Sequence, residues 1–91
     1  MFFGITSNNT ALQLADRHKS LRKDLGFTQT EIANRSGVSL GSIKRFERTG
    51  KVSLESLLKL TEVLGRLSEF EQIFVSEVDP KIENLFSDKT K

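Results

Sequence analysis

Side chains able to do covalent or acid–base chemistry are few in this chain and poorly placed for it. There is one histidine, His18, and no cysteine. Asp16 and His18 stand two residues apart, a spacing that points them to different sides of a helix. The serines fall where helices begin, and no glycine-rich loop of the phosphate-cradling kind is present. No nucleophile, base and orienting group can be assembled from these residues. Without cysteine or a second histidine, a metal site has little support. The expectation is a protein that is not an enzyme and uses neither cofactor nor metal.

What the sequence does concentrate is cationic hydrogen-bond donors. From Arg17 to Lys51 there are nine Lys/Arg against three acidic residues; from Val52 to Asp88 there are three basic against eight acidic. One end suits a polyanion and the other does not, unless both are ordinary solvated faces.

The elements that must position these donors lie between Thr28 and Phe46, TQTEIANRSGVSLGSIKRF. The stretch reads as two short helices joined by a tight turn. Thr28 with Glu31 is a capping box that starts the first helix. Ala33 is small where two steeply crossing helices touch, and Gly37 tolerates the positive φ of a sharp turn. Ser39 caps the second helix, and Val38, Ile43 and Phe46 face back toward the rest of the domain.

Before this unit, Asn9 to Leu25 reads as a first helix with a stripe of Ala11, Leu14, His18, Leu21 and Leu25, stopped by Gly26. His18 is expected at the core edge with one nitrogen in water. After the unit, Thr49-Gly50-Lys51 forms a loop. Ser53 caps a fourth helix whose apolar face is Leu54, Leu57, Leu58, Leu60, Val63 and Leu64, ended by Gly65. Ser68 with Glu71 forms a second capping box for a short fifth helix carrying Phe70, Ile73 and Phe74. Residues 1–8 are expected to be an arm in which Phe2, Phe3 and Ile5 dock on the domain or a partner. Residues 9–74 form the domain. Residues 75–91 form a tail with Val78, Ile82, Leu85 and Phe86 as apolar points, interrupted by Pro80, either disordered or ordered at a dimer interface or against another protein.

From about Asp16 to Phe74 the chain resembles the phage repressor/Cro-like helix-turn-helix proteins, the XRE family. The joint pattern TQxEIAxxSGVSxxxIxxFE carries the likeness, with a basic helix before it and a leucine-rich helix after it. The resemblance implies an all-α, five-helix, lambda-repressor-like domain that binds double-stranded DNA and regulates transcription. It implies that helix 40–48 enters the major groove with Ser39, Leu40, Gly41, Ser42 and Arg45 at base edges. Arg45 is the expected guanine reader, through its two-pronged guanidinium. Leu40 departs from the polar residue common in phage repressors and suits a thymine methyl; Gly41 offers no side chain. Phosphate contacts are expected from Gln29 with the amides of its helix N-terminus, Ser42, Lys44, Arg48, Lys51 and Lys23, with Lys44 also within reach of a base. The resemblance further implies that Arg22 and Glu47 pair as a structural ion pair, unless Arg22 turns to phosphate.

One domain of this size contacts a half-site, so a homodimer on a palindromic operator is expected. The leading expectation is a transcriptional repressor. A looser likeness to antitoxins that accompany HipA-type kinases supplies a second expectation, in which residues 75–91 hold a toxin. The start, MFFGITSNN, lacks the basic region of a signal peptide, and no apolar run is long enough to span a membrane. A cytoplasmic, nucleoid-associated protein of bacterial or phage origin is expected.

Overall fold

The computed structural model describes residues 5–76. Four α-helices follow in order: α1 (Ser7–Asp24), α2 (Gln29–Ser36), α3 (Leu40–Thr49) and α4 (Leu54–Val63). A 3-10 helix, Leu67–Gln72, closes the fold. No strand occurs among the described residues.

Each α-helix starts where a hydroxyl satisfies an amide of the first turn. Thr6 accepts from the Asn9 amide, Ser39 from Ser42 and Ser53 from Ser56. Thr28 and Glu31 form the full reciprocal box, with the Thr28 amide donating to Glu31 Oε1 and the Glu31 amide to Thr28 Oγ1. Because Thr6 is a working cap, α1 begins at Ser7 rather than at Asn9. Part of the expected arm is therefore helix. Ile5 stays exposed, and Phe2 and Phe3 lie outside the described residues.

One core joins the helices: Ala15 from α1, Ile32 from α2, Val38 from the turn, Ile43 and Phe46 from α3, and Leu57, Leu60 and Leu64 from α4 and its cap. The expected apolar stripes hold in part: His18 is buried and Leu21 packs on the core from α1, and Leu57, Leu60 and Leu64 are buried on α4 and its cap. On α1 the inward residues are Ala15, His18 and Arg22, with Ala11 half-buried, whereas Leu14 and Leu25 are exposed. The reason is steric. Gly50, at the end of α3, sits against the Ala11 backbone so closely that a Cβ there would lie 2.8 Å from the Ala11 carbonyl carbon. A small residue at Ala11 lets the end of α3 come that near. On α4, Leu54, at the first position of the helix, is exposed, and Thr61, two turns further on, is buried.

The second capping box does not form. The 3-10 helix starts at Arg66 without a side-chain cap, and Arg66 instead pairs with Glu69. Phe70 packs on the core, but Ile73 is half-exposed and Phe74, at φ 63°, is 99% exposed. Of the expected tail, Val75 is exposed, and Val78, Pro80, Ile82, Leu85 and Phe86 lie outside the described residues.

Candidate nucleic-acid interface

Helix α3 is held by what lies behind it. Ile43 and Phe46 are 2% and 1% exposed, so its inner edge is fully committed to the core. Beside them Glu47 anchors a polar network. Arg22 Nε donates to Glu47 Oε2 at 2.7 Å and Arg22 Nη2 to Oε1 at 3.1 Å, a two-pronged pair with both side chains buried. Arg22 Nη1 donates to the Phe27 carbonyl at 2.7 Å, and Gln29 Nε2 donates to Glu47 Oε1 at 2.9 Å. One carboxylate thus ties α1, the turn after it, and α2 to α3. Burial pushes the Glu47 carboxyl up, but the hydrogen bonds from Arg22 and Gln29 and the charges of Arg22 and Lys19 outweigh it and hold the group below its usual range.

His18 completes the back wall. Its ring meets Phe46 edge-on, centroids 5.4 Å apart, and Nε2 lies 3.2 Å from Thr61 Oγ1. The Thr61 hydroxyl donates to the Leu57 carbonyl at 2.7 Å. Its proton is therefore spent, so the neutral imidazole carries hydrogen on Nε2 and donates to Thr61. Burial lowers the His18 pKa, Glu47 opposes that, and Arg22 adds to it; the net shift is downward. The residue is 8% exposed: Nε2 is bonded inward, while Nδ1 reaches solvent at the wall of a concavity, the expected core-edge setting.

The outer edge of α3 carries the opposite character. Ser39, Gly41, Ser42, Lys44, Arg45 and Arg48 are exposed, and Leu40 is half-buried. Ser39 Oγ caps the helix and donates to Ser42 Oγ at 2.8 Å, so Ser42 keeps its own proton for an outside acceptor. Thr49 folds its hydroxyl back onto the Arg45 carbonyl at 2.7 Å and accepts from the Lys51 amide at 3.1 Å, fixing the turn that follows.

Next to this edge is a hollow of about 190 Å³, lined by Ser42, Arg45, Lys51, Val52, Ser53 and Ser56. Two cationic side chains, three hydroxyls and the start of α4 converge there, the chemistry of an anion cradle. The sequence pattern marks Ser53 as a cap and leaves Ser56 unremarked. Only the turn at Gly50, φ 80°, brings them beside Arg45. At α2, the capping box occupies the Thr28 and Glu31 amides, whereas the Gln29 and Thr30 amides have no helical acceptor. The Gln29 side-chain nitrogen is engaged with Glu47, leaving its backbone amide as the donor toward solvent. Lys23 is exposed near the end of α1.

A second concavity, about 420 Å³, lies away from α3 between α1, α4 and the 3-10 helix. Leu14, Leu21, Leu64, Phe70 and Ile73 make it apolar.

Among known protein families, a helix-turn-helix family model matches residues 19–71 of the chain. No curated protein matches it. No helix among the described residues is long and apolar enough to cross a membrane.

Proposed function

The chain belongs to the Cro/C1-type helix-turn-helix (XRE) family of DNA-binding transcription regulators, and from that premise we propose that it is a repressor that binds a palindromic operator as a homodimer. The supporting observation is the division of α3: one edge locked by Ile43, Phe46 and Glu47, the other presenting Ser42, Lys44, Arg45 and Arg48 to solvent. Helix α3 lies in the major groove. Arg45 reads a guanine with its paired donors, and Ser39, Leu40, Gly41 and Ser42 line the neighbouring base edges. Phosphates are held by the hollow at Lys51 and Ser56, by the α2 amides at Gln29, and by Lys44, Arg48 and Lys23. The second copy packs on the apolar concavity at Leu14, Phe70 and Ile73, on the far side from the DNA.

Competitive titration against a duplex selected from a random pool tests this. Arg45→Ala is expected to lose about 1–3 kcal/mol for the selected duplex and to relax preference at one base position. Unchanged affinity for selected and scrambled duplexes overturns the assignment. Sedimentation of the complex should show two chains per duplex.

A second reading is favoured by the run Ile73-Phe74-Val75, three apolar residues exposed at the end of the described fold. In it the chain is an antitoxin that represses its own promoter and holds a HipA-type kinase through residues 75–91. Removing 75–91 should abolish inhibition of a kinase encoded beside it; full inhibition by the shortened chain rejects this reading.

A further inference from the structure

Resting on α3 as the groove-reading helix, we propose that Gly41 is a specificity determinant whose bare backbone, beside Leu40, forms a shallow notch for the 5-methyl group of a thymine. Among the described residues there are five glycines. Gly26, Gly37, Gly50 and Gly65 all have positive φ, and Gly50 also abuts Ala11, so the fold explains each of them. Gly41 is helical, and a Cβ added there would meet no atom within 4 Å. The chain's own packing would accept alanine at this site, and a helix favours alanine over glycine. The missing methyl group therefore answers to something outside the chain that comes close to the helix backbone.

The chemistry around the notch selects what that is. Leu40 supplies an apolar wall, and the carbon at Gly41 supplies an apolar floor. Of the groups that base pairs show in the major groove, the thymine methyl is the one that gains from apolar contact. A 5-methylcytosine carries the same methyl but next to an amino donor, whereas thymine carries an acceptor, O4. The Gly41 amide, in the first turn, has no helical acceptor and can only donate, and the Ser42 hydroxyl, which accepts from Ser39, keeps its proton to give. A donor-only amide beside an apolar notch favours thymine over methylated cytosine.

The full chain and its Gly41→Ala variant are titrated with the duplex that the full chain selects from a synthetic random pool. Each thymine is replaced in turn by deoxyuridine, which lacks only the methyl group. At one position in each half-site, deoxyuridine should weaken the parent chain about fourfold, the transfer value of one methyl. Gly41→Ala should bind the thymine duplex more weakly and recover at least that factor when the same thymine becomes deoxyuridine, because its Cβ takes the space the methyl leaves. Its Tm should equal or exceed that of the parent, which shows that lost affinity is not lost folding. A duplex with 5-methylcytosine paired to guanine at that position should bind no better than the deoxyuridine duplex. Equal deoxyuridine effects on both proteins at every position overturn the notch, and 5-methylcytosine binding as well as thymine overturns the choice of base. If a duplex is selected and Arg45→Ala weakens it while no deoxyuridine matters, the notch alone fails. If no duplex is selected, groove reading by α3 fails with it.

Discussion

The two edges of α3 are one helix under two kinds of constraint. The inner edge is fixed by its own chain: Ile43 and Phe46 are buried, and Glu47 is gripped by Arg22 and Gln29. The outer edge has almost no partner within the chain; Lys44, Arg45 and Arg48 extend into solvent and Gly41 has open space above it. The contrast shows why this fold suits recognition. Rigidity comes from residues locked inside the domain, so the outer residues can vary without unsettling it, which is what the proposed operator reading needs.

The sharpest way to break the comparison is from within. Phe46→Ala should destabilise the domain by about 3–5 kcal/mol, through lost burial and the cavity left behind, as measured by denaturant unfolding. Glu47→Ala should follow at about 3 kcal/mol or more, because it strands the buried Arg22 guanidinium without its carboxylate. Replacing Arg22 and Glu47 together by Met and Leu should recover most of that loss. If the double variant is as unstable as Glu47→Ala, the pair does more than satisfy its own charges. Arg45→Ala stands on the other side: its stability should stay within about 0.5 kcal/mol of the parent, as for a surface change, while operator affinity falls.

Acid should reveal the back wall in two steps. The folded His18 pKa lies below its ordinary 6.5, so the unfolded chain takes up that proton first. Stability from this group is whole above pH 6.5 and falls as pH drops from 6.5 toward the lowered folded value. The Glu47 contribution is whole above its ordinary 4.5 and is lost as pH falls through its depressed folded pKa. In His18→Gln the upper step should vanish and the lower one remain, as read by Tm against pH. The smallest effect is expected from Arg66→Ala. Its pair with Glu69 is exposed, and such pairs contribute about 0–1 kcal/mol.

How far the sequence disclosed this arrangement differs by region. The helix-turn-helix unit was legible because its signals are local: a capping box at Thr28 and Glu31, a left-handed glycine at Gly37, and apolar residues at 38, 43 and 46. Each of these acts within one turn of where it is written. The α4 face was legible in Leu57, Leu60 and Leu64, which are buried, whereas on α1 hydrophobicity alone does not carry shape. Leu14 and Leu25 looked like core, yet both are exposed, and the close approach of Gly50 is to the small residue Ala11. Thr61 carries no local signal for burial; its partner there, His18, lies forty-three residues earlier. At Ser68 the capping pattern was present but lost to the Arg66–Glu69 pair and a 3-10 turn. The hollow at Ser53 and Ser56 arises from the turn at Gly50, which no local pattern assigns to a site.

Nuclear magnetic resonance on the isotopically labelled chain, titrated with the selected duplex, confronts the two edges most directly. Amide and side-chain shifts should concentrate at Gln29, Thr30, Leu40, Gly41, Ser42, Arg45 and Lys51, with Ile43, Phe46 and His18 nearly still. The largest shifts falling instead on Leu14, Phe70 and Ile73, with Arg45 unmoved, would contradict the account.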